Sequence, residues 1–93
     1  MKKSEFKIIN GTYNPEDAQQ ILSTLLSDKI KFHHLRIFSI KERFNGDTSH
    51  SEERIIELTS AQKTVQELIK EAKAGDFQLE VVGEVTIKFI SKP

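Results

Sequence analysis

The chain of 93 residues contains no cysteine. Without thiols it can form no disulfide, no thiolate nucleophile, no cysteine-ligated zinc finger and no thiolate-held iron–sulfur centre. It also has no apolar run approaching about eighteen residues, the length that predicts a membrane-spanning helix. The first ten residues are basic, but they lack the apolar core and the cleavage site of a signal peptide. These absences predict a cytoplasmic protein without a membrane partner.

Complete catalytic and cofactor motifs are absent as well. The chain has no glycine-rich phosphate loop, no dinucleotide-binding fingerprint and no G-x-S-x-G nucleophile elbow. We therefore expect no catalytic residue, no cofactor and no metal site, and a protein that is not an enzyme.

The charges balance over the whole chain but not along it. Residues 1–44 hold eight bases and five acids, whereas residues 45–93 hold six bases and nine acids. No block of five or more like charges exists, so a basic patch for an anionic partner is disfavoured. The split instead favours attraction between the two halves, within one fold or across a dimer.

The length predicts a single domain, residues 1–93, with a thin core. A chain of this size buries only about 60–65% of its unfolded surface. Only 37% of the residues are apolar and 30% are charged. Self-association would add stability to such a core, so we expect a homodimer, with another protein as a further possible partner.

A strand followed by a helix is predicted at the start of the chain. Residues 5–9 read as a strand with Phe6 and Ile8 on one side. Asn14 is a suitable N-cap, and Pro15 stands at the first helical position, where its missing N–H costs nothing. The apolar positions that follow recur at helical spacing: Ala18, Ile21, Leu22, Leu25 and Leu26.

The segment 29–44, KIKFHHLRIFSIKERF, is the hardest to assign. It holds three of the six phenylalanines and two of the three histidines. If the first helix continues, Ile30, His33 and Ile37 extend its apolar stripe. If the helix ends near Ser27, alternate positions form one face of a strand: Ile30, Phe32, Phe38, Ile40 and Phe44.

A second helix is predicted from Ser51, a suitable N-cap, to Gly75, a C′ residue. Alternatively, residues 53–58 form a strand, and Thr59 with Ser60 caps a shorter helix. The apolar positions of the long helix are Ile55, Leu58, Ala61, Val65, Leu68 and Ala72.

A strand region is predicted over residues 77–90, where apolar residues alternate with polar ones. Gly83 falls on the apolar face and marks a bulge, a bend or a tight hairpin. We therefore predict an α+β fold in two layers, with an N-terminal strand and one or two C-terminal strands packed on a long helical hairpin. The alternative is a ferredoxin-like βαββαβ order with a central hairpin formed by residues 30–44 and 53–58.

The candidate contact residues lie in the basic and aromatic segment 29–43. Its phenylalanines alternate with cations, as in surfaces that stack bases and hold phosphates of single-stranded nucleic acids. A pI of about 6.8 argues against this alternative, and core packing is the commoner role of phenylalanine. The residues proposed to contact nucleic acid or another partner are Lys31, His33, His34, Arg36, Lys41 and Arg43.

The histidines give a weaker hypothesis. His33 and His34 are adjacent, so they diverge on a helix or a strand and do not readily share a metal ion. A metal site would need one of them to converge with His50 and a carboxylate such as Glu53. A general-base role for His33 or His34 is the third alternative, after protein interaction and nucleic-acid binding.

Overall fold

The computed structural model describes residues 2–43 and 45–92. Its elements are β1 (Lys3–Tyr13), α1 (Pro15–Arg43), α2 (Ser49–Gly75) and β2 (Leu79–Lys88). The two strands pair antiparallel into one sheet, which packs on the helical hairpin of α1 and α2. The α+β fold with a long helical hairpin is therefore confirmed.

The first helix begins where the sequence predicts. The Asn14 side chain accepts a hydrogen bond from the Asp17 backbone N–H at 2.8 Å, and Pro15 is the first helical residue. A helix start leaves backbone N–H donors without partners. The Asn14 side chain accepts one of them, and Pro15 has no N–H that would need a partner.

The helix then runs without a break to Arg43, so the strand alternative for the segment 29–43 is wrong. His33 is buried, and Ile30 and Ile37 are half-buried, as the helical alternative requires. The ferredoxin-like order is wrong for the same reason, because residues 30–43 and 53–58 are both helical. Phe44, which the strand alternative included, lies outside the described residues.

The start of α2 differs from the prediction. The helix begins at Ser49 after Thr48, and Ser51 is a buried residue inside it. The Asp47 carboxylate accepts hydrogen bonds from the Ser49 hydroxyl and from its backbone N–H, the latter at 2.9 Å. These bonds, the side-chain bond first, lower the pKa of Asp47 below its usual value. The prediction that Ser51 is the N-cap is therefore wrong, because Asp47 binds the first turn.

The end of α2 also differs from the prediction. Asp76 adopts the left-handed conformation with φ 58°, and Gly75 is the last helical residue. The Phe77 backbone N–H then donates to the Ala72 carbonyl at 2.9 Å. A Cβ on Gly75 would lie 2.7 Å from Cδ2 of Phe77, so the exposed Phe77 ring would have to move if a larger residue stood there.

A β-bulge sets which residues of the sheet face the helices. The pairing shifts between Lys7 and Ile9, and Ile9 stands opposite Gly83. Ile8 is thus an extra residue, so Phe6 and Ile9 lie on the same side of the sheet although they are three positions apart. Of the three alternatives for Gly83, the bulge is the one observed, and the buried residue is Ile9, whereas Ile8 is exposed.

The core is small and lies between the two helices and beneath the sheet. In α2, Ile69 is only 4% exposed, whereas its neighbour Leu68 is 51% exposed. The predicted stripe therefore has the wrong residue at this turn, because spacings of three and of four from Val65 both satisfy a helix. The buried apolar residues are Ile9, Ala18, Leu58, Ile69 and Ala72.

No helix in the described part of the chain is long and apolar enough to cross a membrane.

Candidate interaction surface

A single copy of the chain is extended and has an unusually large surface. Its radius of gyration is 16.7 Å, against about 12 Å for a compact domain of this length. Its accessible surface is 7568 Å², against about 5,500 Å² for a folded monomer of this mass. No large side chain of residues 2–43 and 45–92 is fully buried. The chain therefore exposes roughly 2,000 Å² more than a compact monomer would.

Part of this excess lies on α1, along a row of positions that we call the α1 stripe. Ile21, Leu25, Phe32 and Leu35 follow one another at spacings of four, seven and three, which places them on one face of the helix. Ile21 and Leu25 line an open depression together with Ile8 and Ile9 of β1. Ile21 is half-buried, whereas Leu25 is still 37% exposed. Phe32 and Leu35 line an open depression with other residues of α1 alone, and they are 51% and 60% exposed.

A second part of the excess lies where β1 begins and β2 ends, a region that we call the sheet end. Phe6 pairs with Val85, and Ile87 lies two residues further along the same face of β2. Phe89 extends the pairing, because its backbone N–H donates to the Lys2 carbonyl at 2.9 Å. Phe6, Ile87 and Phe89 point to the helix side of the sheet but are exposed. The helices of the same chain therefore do not cover the sheet end.

The neighbouring surfaces are polar. On α2, the positions that continue the sheet-facing side toward its N-terminus include Arg54 and Glu57, which form an ion pair. The other face of the sheet carries mainly charged residues, all exposed: Lys3, Glu5, Lys7, Glu80, Glu84 and Lys88. The α1 stripe and the sheet end thus hold one part of the exposed apolar surface, and further exposed apolar residues lie elsewhere: Ile8, Phe38, Ile56, Leu68, Phe77, Val82 and Ile90.

Another side of α1 carries a different row of exposed residues. Lys31, His34, Phe38 and Lys41 follow at spacings of three, four and three, and Phe38 is 66% exposed. We call this row the basic row.

The six predicted contact residues do not share one surface. Lys31, His34 and Lys41 lie in the basic row, whereas Arg36 lies beside Phe32 and Leu35. Arg43 is exposed at the end of the helix, and His33 is buried against α2.

His33 joins the two helices. Its Nδ1 lies 3.2 Å from the Ser51 hydroxyl oxygen, and its ring meets that of Phe32 edge-on at 5.2 Å. Burial is the main cause that lowers the pKa of His33, and further lowering comes from four nearby basic groups: Lys29, Arg54, His50 and Arg36. His33 and Ser51 are both buried, so their hydrogen bond is an internal polar link between α1 and α2.

The other sites considered in the sequence are not assembled. In the described ranges, no three His, Asp or Glu side chains lie close enough together to hold a metal ion. His50 lies near His33, with their ring centroids 6.5 Å apart.

The expected attraction between the basic segment and the acidic start of α2 does not take the form of close ion pairs. Within the described residues, Glu57 pairs with Arg54 of its own helix, and the pair that joins the two halves is Lys73 with Glu16, at 4.0 Å. That pair joins a base of the second half to an acid of the first, which is the reverse of the expected arrangement.

Sequence reasoning did not single out Leu35 or the sheet end as a surface. The spacing of Ile21, Leu25, Phe32 and Leu35 was a usable signal, because it forms a second apolar row beside the one that packs on α2.

The chain matches no family model, no curated protein and no solved structure.

Proposed function

We propose that the protein is a small, cytoplasmic, non-enzymatic interaction module that works as a homodimer. The observation that carries this proposal is the excess surface of roughly 2,000 Å² per chain over a compact monomer. Obligate homodimers bury about 2,000–5,000 Å² in total, or about 1,000–2,500 Å² per chain. The excess is therefore of the size that one such interface removes from water.

The composition of the exposed surface supports the same proposal. Large apolar patches are uncommon on soluble monomers, and the cores of homodimer interfaces are rich in aromatic and aliphatic residues. Phe6, Phe32, Leu35, Ile87 and Phe89 are all exposed, and a partner that covered them would complete the thin core.

Sedimentation equilibrium at micromolar concentration tests the proposal. We expect a mass twice that of the 10.7 kDa chain, with dissociation only on strong dilution. A mass of one chain that persists to high concentration would contradict self-association.

A second candidate function, binding of single-stranded nucleic acid, is favoured by the basic row. Phe38 projects into solvent, with Lys31, His34 and Lys41 beside it, and an exposed aromatic ring among cations can stack on a base while the cations bind phosphates. This candidate uses a row that borders the exposed half of the α1 stripe, because Lys31 lies four residues before Leu35 and Phe38 three residues after it.

Fluorescence anisotropy with a labelled RNA oligonucleotide at several salt concentrations tests this candidate. If two lysines contact phosphates, the logarithm of the binding constant should fall with the logarithm of the salt concentration with a slope of about −1.4, because each phosphate contact with a single strand contributes about −0.7. Phe38→Ala should weaken binding by about 1–3 kcal/mol, whereas Phe32→Ala, on the other side of the helix, should not. Absence of salt-dependent binding would rule out this function.

A further inference from the structure

We propose that a second copy of the chain lays its sheet end on the exposed half of the α1 stripe, and receives the sheet end of the first copy in return. This inference rests on the proposed self-association and specifies its interface.

The two surfaces are the uncovered halves of one internal interface. Within a chain, β1 lies beside the half-buried Ile21 and the partly exposed Leu25, whereas the depression at Phe32 and Leu35 is lined by residues of α1. On the sheet, the helix-facing side is covered at Ile9 but is open at the sheet end. The exposed half of the α1 stripe therefore continues a helix surface that faces the sheet, and the sheet end continues a sheet surface that faces the helices.

The reciprocal arrangement satisfies both open halves at once. In a two-fold symmetric dimer, if the sheet end of one copy contacts the α1 stripe of the other, the converse contact follows. The assembly closes at two copies, so no apolar half is left over to recruit a third.

The area agrees with a specific interface. The aromatic side chains bury about 150–250 Å² each when fully covered. With Phe6, Phe32, Leu35, Ile87 and Phe89 about half to two-thirds exposed, covering them removes roughly 500 Å² of apolar surface per chain. This is more than half of the roughly 800 Å² per partner of a standard interface, and adjoining residues supply the remainder.

The polar surroundings direct the partner to α1. The same side of α2 carries the Arg54–Glu57 ion pair, and an apolar sheet end placed there would desolvate charged groups without compensation. On α1, the open depression is lined by Arg36, Ser39 and Ile40 beside Phe32 and Leu35, and the Lys29 ammonium lies 5.3 Å from the centroid of the Phe32 ring. Long cationic side chains can keep their charged ends in water while apolar groups cover their stems.

A charge placed on the α1 stripe provides the first test. Leu35→Glu should raise the dimer dissociation constant at least about 30-fold, the equivalent of about 2 kcal/mol. Ile56→Glu is the matched control, because Ile56 is 70% exposed on the opposite side of the hairpin and should change the constant by less than about threefold.

Cross-linking provides the second test, and it does not depend on a disruptive substitution. The chain has no cysteine, so Leu35→Cys and Ile87→Cys each introduce one thiol. After the two variants are mixed and allowed to exchange, a short bismaleimide should link them to each other in far higher yield than it links either variant to itself.

The outcomes separate the two proposals. A monomeric wild type overturns the homodimer and this interface together. A dimeric wild type that tolerates Leu35→Glu, whatever the effect of Ile56→Glu, overturns the interface alone. Efficient linking of Leu35→Cys to itself, with no gain in the mixture, also overturns it, because the α1 stripes would then face each other.

Discussion

The choice between Leu68 and Ile69 as the buried residue of α2 is open to a sharp stability test. Ile69 is 4% exposed and Leu68 is 51% exposed, although they are neighbours in the chain. Truncation of a buried isoleucine to alanine costs about 2–5 kcal/mol, through lost transfer free energy and the cavity left behind. Leu68→Ala loses only about half of the transfer free energy and leaves no closed cavity, which gives about 1 kcal/mol.

Urea unfolding at one fixed protein concentration measures both effects. With a denaturant slope of about 1 kcal/mol per molar urea for a small domain, the midpoint should fall by about 1 M in Leu68→Ala. In Ile69→Ala it should fall by about 2 M or more. Ile69→Val extends the series, because it costs about 0.5–1.5 kcal/mol and keeps enough stability to give a full transition.

Equal midpoints for the two alanine variants, or a larger fall in Leu68→Ala, would refute this reasoning. Either result would mean that α2 is rotated by about one residue, or 100°, from the described packing. Similar denaturant slopes in all variants are the control, since they show that the unfolded states expose comparable surface.

Three further predictions concern single positions. The folded-state pKa of His33 is lowered from 6.5, so the unfolded state binds protons more readily, and the free energy of unfolding should fall as the pH drops below about 6.5 and not above it. Urea midpoints measured across this range should depend less on pH in His33→Gln than in wild type. In the exposed control His34→Gln they should depend on pH as much as in wild type. Asp76 has φ 58°, so Asp76→Val should cost about 1–2 kcal/mol in thermal unfolding, whereas Asp76→Gly should not. In Gly75→Ala the Phe77 ring must move, which offsets the helix propensity that alanine adds, so this substitution should raise the melting temperature more in a Phe77→Ala background than in wild type.

Local signals located some elements well and others only approximately. Asn14 and Pro15 marked the start of α1 because a cap and a first-turn proline act within a few residues of each other. The start of α2 was displaced, since Asp47, Ser49 and Ser51 are all suitable capping residues and local preference does not rank them. At its end, Gly75 was expected to take the left-handed conformation that Asp76 adopts.

The candidate surfaces were less accessible to sequence reasoning. The basic and aromatic segment stands out in the sequence, but its residues divide among three environments, because a helix turns 100° per residue. His33 enters the interior, Phe32 faces the sheet side, and Phe38 faces away. Whether a phenylalanine is buried or exposed depends on where the sheet ends, and no local sequence pattern indicates that.

The sequence by itself determined the α+β class and the helical spacing of the apolar residues, because these follow from periodicity and short-range caps. It favoured the order of strand, helix, helix and strand but left the ferredoxin-like order open. The tertiary structure alone decided three further features. The bulge opposite Gly83 sets the face of β1, the packing of α2 buries Ile69 rather than Leu68, and the sheet stops short of Phe32 and Leu35. Each depends on contacts between residues far apart in the chain, where a shift of one position moves a side chain from the core to the surface.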